Sequence, residues 1–324
     1  MLNPVFLFDA RYLGPALVSA ASFLAASGAE RYPLTLLFMS RADDEADRAA
    51  RAALIAFTES TRARRPQLDM RLVVLRATVF DQYQQRFHFS SAIMYKIVLP
   101  EIFPDYAHIV LFDCGMLFGR ATEDFLAALE ARIVRADLGP IAAYCRVAVH
   151  EGALAPHLQS LPHNRLYPSA VILYFDVARY AAARLYQRIL DGFAHYRDSL
   201  LYGEQDLLCL ILREGELGDF EAREDRLHID MADEASWPLM DKYRAAWAAK
   251  DYFYLKHIGS FKPWKKWILH PAKGFYLIER ERLRLLIGAP FIPALEDPEL
   301  APPDGRFAER QLSLLEAHYA RSAP

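Results

Sequence analysis

The chain has 324 residues, 53% hydrophobic and 13% aromatic, with 38 Lys and Arg against 41 Asp and Glu for a formal charge of −3. This excludes a disordered chain, supplies ample material for a core, and allows one large domain or a domain with an appendage. A near-balanced charge argues against a nucleic-acid partner, and three cysteines with no C-x-x-C pair (Cys114, Cys145, Cys209) argue against a disulfide framework or thiolate zinc.

The first apolar run, Val5–Phe8, reaches Asp9 with no basic region ahead of it, which is not the pattern of a secretory leader. Further strands are predicted at Leu34–Met39, Leu72–Leu75, Ile109–Phe112, Ile141–Val149 and Val171–Phe175. Helices are predicted at Pro15–Ala26, Asp43–Thr61, Ser91–Ile102, Thr122–Arg135, Val177–Tyr196 and Glu204–Leu212. The early strands are almost wholly apolar, as strands covered on both faces are. Their alternation with helices predicts an α/β fold with a mixed, mostly parallel, Rossmann-like sheet flanked by helices. Apolar stretches such as Ala170–Phe175 are far too short to span a bilayer, so a cytoplasmic protein, at most peripheral on a membrane, is expected.

Composition shifts after Gly259, which divides the chain into a main domain, 1–260, and a basic, aromatic and helical extension, 261–324. The extension opens with Lys262-Pro-Trp264 and continues basic and aromatic to Lys273. Cations interleaved with tryptophans suit an anionic membrane surface, or else Trp264 packs inward and the lysines are merely solvated. A last amphipathic helix is predicted at Phe307–Arg321.

Ligands of open α/β sheets bind beyond the carboxyl ends of the strands. Two predicted strands end there in aspartate, at Phe8-Asp9 and Phe112-Asp113, although an aspartate in such a place also serves as a cap. The run Ser91-Ala-Ile-Met-Tyr-Lys96, then Leu99-Pro100, then Tyr106 and the strand ending Asp113-Cys114-Gly115, resembles glycosyltransferase family 8, retaining nucleotide-sugar-dependent enzymes of GT-A fold. Four further segments match in order: Asp9-Ala-Arg-Tyr12, Ser169-Ala-Val-Ile-Leu173, Glu204-Gln205-Asp206, and Gly259-Ser-Phe-Lys262-Pro-Trp264. Together they span about residues 4–267.

The resemblance implies a donor site formed by Phe8, Asp9, Tyr12, Lys96, Asp113, Cys114, Gly115, Lys256, Gly259 and Lys262. Asp9 and Tyr12 would hold the base of a UDP-sugar, and Lys96 its diphosphate or sugar. Gln205 would lie beneath the reacting sugar face, with Glu204 and Asp206 holding sugar hydroxyls or Gln205. His88, His163 and Trp264 would contact the acceptor. The implied reaction moves a hexose of glucose or galactose type to a glycan or lipid-linked glycan, such as a lipopolysaccharide or capsule intermediate.

The departures fall on the metal site. Gly115 stands where the family has the second aspartate of Asp-x-Asp, and Lys256 stands where it has a histidine. Pro168 replaces an asparagine, and Glu204 replaces an aspartate. A Mn2+ or Mg2+ ion would find only Asp113 and the off-register His257, so weak or absent metal binding is expected, with Lys256 and Lys262 supplying positive charge instead. The alternative is a non-catalytic nucleotide-sugar-binding homologue.

Overall fold

The structure, a computed structural model, describes residues 1–26, 31–40, 45–76, 78–81, 83, 91–147, 166–220, 223–230, 237, 239–258, 262–263, 270–287 and 313. The chain begins β1 (Leu2–Asp9), α1 (Leu13–Ala26), β2 (Leu34–Met39), α2 (Glu45–Arg64) and β3 (Met70–Leu75). A 3-10 helix at Ser91–Val98 leads through α3 (Leu99–Ile102) to β4 (His108–Phe112), β5 (Met116–Phe118), α4 (Ala121–Arg135) and β6 (Ile141–Val147). Then come β7 (Leu166–Asp176), α5 (Val177–Ala182), α6 (Leu185–Tyr196), α7 (Glu204–Ile211), β8 (Leu217–Asp219), β9 (Arg226–Asp230), α8 (Met240–Ala249), β10 (Tyr254–Ile258) and α9 (Lys273–Ile287).

Seven strands form the main sheet in the order β3-β2-β1-β4-β7-β6-β8. Only β7 runs against its neighbours, pairing antiparallel with both β4 and β6. The apolar strands are explained by what covers them. Phe6 and Phe8 of β1 pack with α1 and α2 on one face, while Val5 and Leu7 pack with the 3-10 helix and α7 on the other. A small second sheet, β5-β10-β9, stands beyond the end of β4.

Two predicted helices are corrected. Ser91–Ile102 is mostly 3-10, with only Leu99–Ile102 α-helical. Ile93, Ile97 and Val98 are weak helix formers, and Pro100 has no N–H to continue a ladder. Val177–Tyr196 breaks in two at Arg184, whose φ is 53°. The strand expected from Val171 starts at Leu166 and runs through Pro168, next to a register shift between Ala143 and Tyr144 on β6. The second sheet was not foreseen, because its strands are three to five residues long and β10 carries a Lys-His pair. Helix α9, inside the predicted extension, packs against α1 and α2, with Phe275 and Tyr276 in the main core. The helix predicted at Phe307–Arg321 lies outside the described residues, Ser313 excepted.

Candidate functional site

Parallel pairing of β1 with β4 sets the carboxyl ends of the two strands side by side, and with them Asp9 and Asp113. Asp9 caps the turn Ala10–Tyr12: its Oδ1 accepts the Arg11 N–H at 3.1 Å, and Arg11 Nη2 lies 3.5 Å from its Oδ2. Asp113 leaves β4 with its N–H donating to Val171 O at 2.8 Å, which ties it to β7. Burial, followed by the charges of Asp113 and Asp9, raises the Tyr12 phenol, so it stays neutral near these carboxylates.

Asp113 is held between two ammonium groups. Lys96, 7% exposed on the 3-10 helix, donates to its Oδ1 at 2.9 Å, and Lys256 of β10 donates to its Oδ2. Lys256 Nζ also lies 3.4 Å from Cys114 O. Burial would raise the Asp113 carboxyl, but Lys256 and Lys96 outweigh it and hold the group well below the usual carboxylate range. Burial would likewise lower the Lys96 ammonium, and Asp113 and Glu204 together hold it above the ordinary lysine value.

Glu204 is the third member, with Oε1 3.6 Å from Lys96 Nζ. It is 3% exposed and its Oε2 has no hydrogen-bond partner among the described residues. Burial pushes its carboxyl up to about 7 against the pull of Lys96. Gly203 makes this approach sterically feasible. Its φ is +50°, and a Cβ there would meet Ile93 Cδ1 at 2.8 Å and Tyr83 Oη at 3.1 Å. Two cations therefore face one ionised carboxylate and one that titrates near neutrality.

The other expected residues fall in place unevenly. Gln205, second in α7, is half-buried, and its side-chain amide makes no hydrogen bond with a described residue. Asp206 is fully buried and accepts three hydrogen bonds, from Tyr167 Oη at 2.6 Å and from the N–H groups of Leu201 and Tyr202 at 2.7 and 2.9 Å. Those bonds fix the loop before α7 against β7, so Asp206 positions the helix. Phe8 lies in the core against Phe38, contributing only backbone at the strand end. The Cys114 thiol, raised by burial and then by Asp113, donates to Leu7 O at 3.4 Å. Gly115 has φ 81°, a left-handed value that favours glycine, and its N–H donates to Ser19 Oγ at 2.9 Å.

His257 is not brought to Asp113. Successive residues of a strand face opposite ways, so Lys256 takes the Asp113 side while His257 Nε2 donates to Ala272 O at 3.1 Å. Burial pushes His257 down to about 3, and it is neutral. Lys262 is 8% exposed and donates to His257 O at 2.9 Å, so this cation of the basic run is turned inward. His88, His163, Gly259 and Trp264 lie outside the described residues.

A hard divalent ion needs several oxygen ligands. Both Asp113 oxygens accept from ammonium groups, Gly115 has no carboxylate and His257 faces away, so the side chains described around Asp113 do not fit such an ion. Sequence reading missed Ser19, which holds Gly115, and His228 of β9, which is paired with Lys256 across the small sheet. The His228 imidazole is pushed down to about 4 by burial and then by Lys256, and it shares a 2.8 Å hydrogen bond with Tyr254 Oη. Neither residue belongs to a motif, so only the packing of α1 on the end of β4 reveals Ser19 and only the β9–β10 pairing reveals His228.

No protein-family model and no curated protein sequence matches the chain. Solved structures do. The galactosyltransferase LgtC in complex with donor and acceptor sugar analogues is 15% identical, with TM-score 0.61 over 95% of this chain and 100% of that one. The bifunctional glycosyltransferase WbbM is 14% identical, with TM-score 0.56 over 93% of this chain and 52% of that one. The glycosyltransferase GlyE of Streptococcus pneumoniae is 12% identical, with TM-score 0.55 over 93% of this chain and 65% of that one. The seven-stranded sheet, with its helices and the small sheet beyond β4, is thus the GT-A fold of these glycosyltransferases.

Proposed function

We propose that the chain is a retaining glycosyltransferase that moves a hexosyl group, of glucose or galactose type, from a UDP-sugar to a glycan acceptor without needing a divalent ion. The observation that carries this reading is the Lys96–Asp113–Lys256 cluster at the carboxyl ends of β1 and β4. In open α/β sheets that end of the strands is where ligands bind. A metal site there would be built of carboxylates and would be negative when empty; this one is neutral to positive, depending on Glu204. An incoming diphosphate exchanges its oxygens for those of Asp113 around the two ammonium groups. The same charges then offset the negative charge that grows on the departing UDP.

In the transfer, the bond from the anomeric carbon to the diphosphate oxygen breaks, and the acceptor oxygen bonds to that carbon on the same face. The acceptor's hydroxyl proton passes to the leaving phosphate, so no protein nucleophile is required. Gln205, whose amide makes no hydrogen bond with a described residue, is the group we assign to stabilise the positive sugar ring. LgtC, of the same fold, has an active-site glutamine that has been changed to glutamate. A lipopolysaccharide or capsule intermediate is the acceptor this reading favours, reached at the inner face of an anionic membrane. No helix described is long and apolar enough to cross a membrane.

Thermal denaturation of the protein with a panel of nucleotide sugars, in EDTA and with manganese, tests the proposal, because a ligand bound only by the native state raises Tm. UDP-hexoses should raise Tm in EDTA and release UDP slowly without acceptor. Binding with no UDP release under any condition would favour the non-catalytic homologue; stabilisation that requires manganese would remove the lysines from the metal's role.

A further inference from the structure

A second cavity, of about 270 Å³, opens at the other end of α1. That helix starts beside Asp9 and is about 20 Å long at 1.5 Å per residue, and its last turns wall the cavity. The floor is apolar, from Ala21, Leu24 and Phe118. The rim carries Arg64, Arg65, Arg120, Lys250 and Arg282 against the single carboxylate of Glu279.

Part of this positive charge has a structural use. Helices α1 and α2 both end here, and Arg65 Nη1 donates to Leu24 O at 2.6 Å. Each helix end is worth about half a negative charge, so among the described lining residues the five cations outnumber Glu279 and the two helix ends. That excess is local, on a chain whose net charge is −3.

The arrangement is also built. Glu279 is 6% exposed and takes Lys250 Nζ and Arg282 Nη1 on one oxygen, each at 2.5 Å. Lys250 holds φ 56° just after α8, where glycine is the easiest residue. The backbone there has no use for a lysine; its side chain is what reaches Glu279 and the cavity. Gly119 closes the wall, since a Cβ on it would stand 2.1 Å from Tyr252 O.

We propose that this cavity binds a phosphate monoester carrying an apolar chain, with the phosphate among the rim cations and the chain on the floor. A dianion answers the charge excess better than a carboxylate, and guanidinium forks match phosphate oxygens in pairs. The site does not depend on what the donor cleft binds.

Calorimetric titration of the full chain with octyl phosphate tests this, beside inorganic phosphate, octanol and vesicles containing phosphatidic acid. Octyl phosphate should bind saturably and more tightly than either fragment. The charge reversal R64E/R120E, at two exposed positions, should weaken it by roughly tenfold or more. Ala21→Phe, which fills the floor and leaves every charge, should do the same. Vesicle binding lost in R64E/R120E would identify the phosphate as a lipid headgroup, and octyl phosphate binding without vesicle binding would identify a soluble ester. Absence of saturable octyl phosphate binding by the native chain, or equal affinity in the native chain and both variants, would overturn the proposal.

Discussion

Replacing Glu204 with Gln should change how stability depends on pH. Glu204 is 3% exposed and 3.6 Å from Lys96, and burial pushes its carboxyl from the ordinary 4.5 up to about 7. Between those values the folded chain keeps a proton that the unfolded chain has released, so stability falls as pH rises through the window. At about 1.4 kcal/mol per pH unit, an ionised Glu204 costs the fold about 3 kcal/mol above pH 7. The contribution is intact below about pH 4.5 and lost through about pH 7, and roughly 2–3 kcal/mol of the loss falls between pH 5 and pH 8. Glutamine has no proton to lose and nearly the same shape. Urea unfolding at the two pH values, with slopes checked for equality, should show E204Q gaining that 2–3 kcal/mol on the native protein as pH rises. A constant difference between the two proteins across the range would refute both the buried proton and the charge count of the cluster.

Three further outcomes follow from the same geometry. Lys256→Ala should lower UDP-sugar turnover by about 30- to 1000-fold, the equivalent of roughly 2–4 kcal/mol of transition-state stabilisation, while EDTA leaves native turnover unchanged; native activity that dies in EDTA and returns with manganese contradicts it. Gln205→Ala should lower kcat with donor KM nearly constant, as loss of an interaction made only in the transition state does, and weakened donor binding with kcat intact would remove Gln205 from that role. Asp206→Ala strands the Tyr167 hydroxyl and two loop N–H groups, and should cost about 2–3 kcal/mol in urea unfolding; a neutral substitution would show that the loop has other support.

What the sequence made legible follows the physics of each element. Leu34–Met39 reads as a strand to the residue, because five apolar residues and the β-branched Thr35 fit a strand covered on both faces. Ser91–Ile102 reads as α-helix because its apolar pattern is right, but the 3-10 geometry depends on what it packs against, and no local signal encodes that. Asp9 and Asp113 were each ambiguous between cap and ligand, and Asp9 proves to be a cap that also stands at the cleft. What puts them together is the β1–β4 pairing, a contact between segments about a hundred residues apart. Asp206 was expected to meet sugar hydroxyls or Gln205, and no local signal announced the three internal donors, from Tyr167, Leu201 and Tyr202, that the fold brings to it.

The choice between Lys256 and His257 is where local reading was weakest, and the register of β10 decides it. Lys256 pairs with Met116, three residues past Asp113, and so its ammonium falls to Asp113. A one-residue slip would flip every side chain of the strand. It would offer His257 to Asp113, as a metal site needs, but carry the Lys256 ammonium to the face where the imidazole now meets Ala272 O. Among the described residues, the groups that act on that imidazole are Ala272 O and the cations Lys262 and Lys256 with His270, and none is a carboxylate. An unpaired buried ammonium costs several kcal/mol, whereas a neutral buried histidine with one hydrogen bond costs far less. The lysine thus pins the strand in the register that excludes the histidine. Lys256 therefore both pairs with Asp113 and holds His257 away from it.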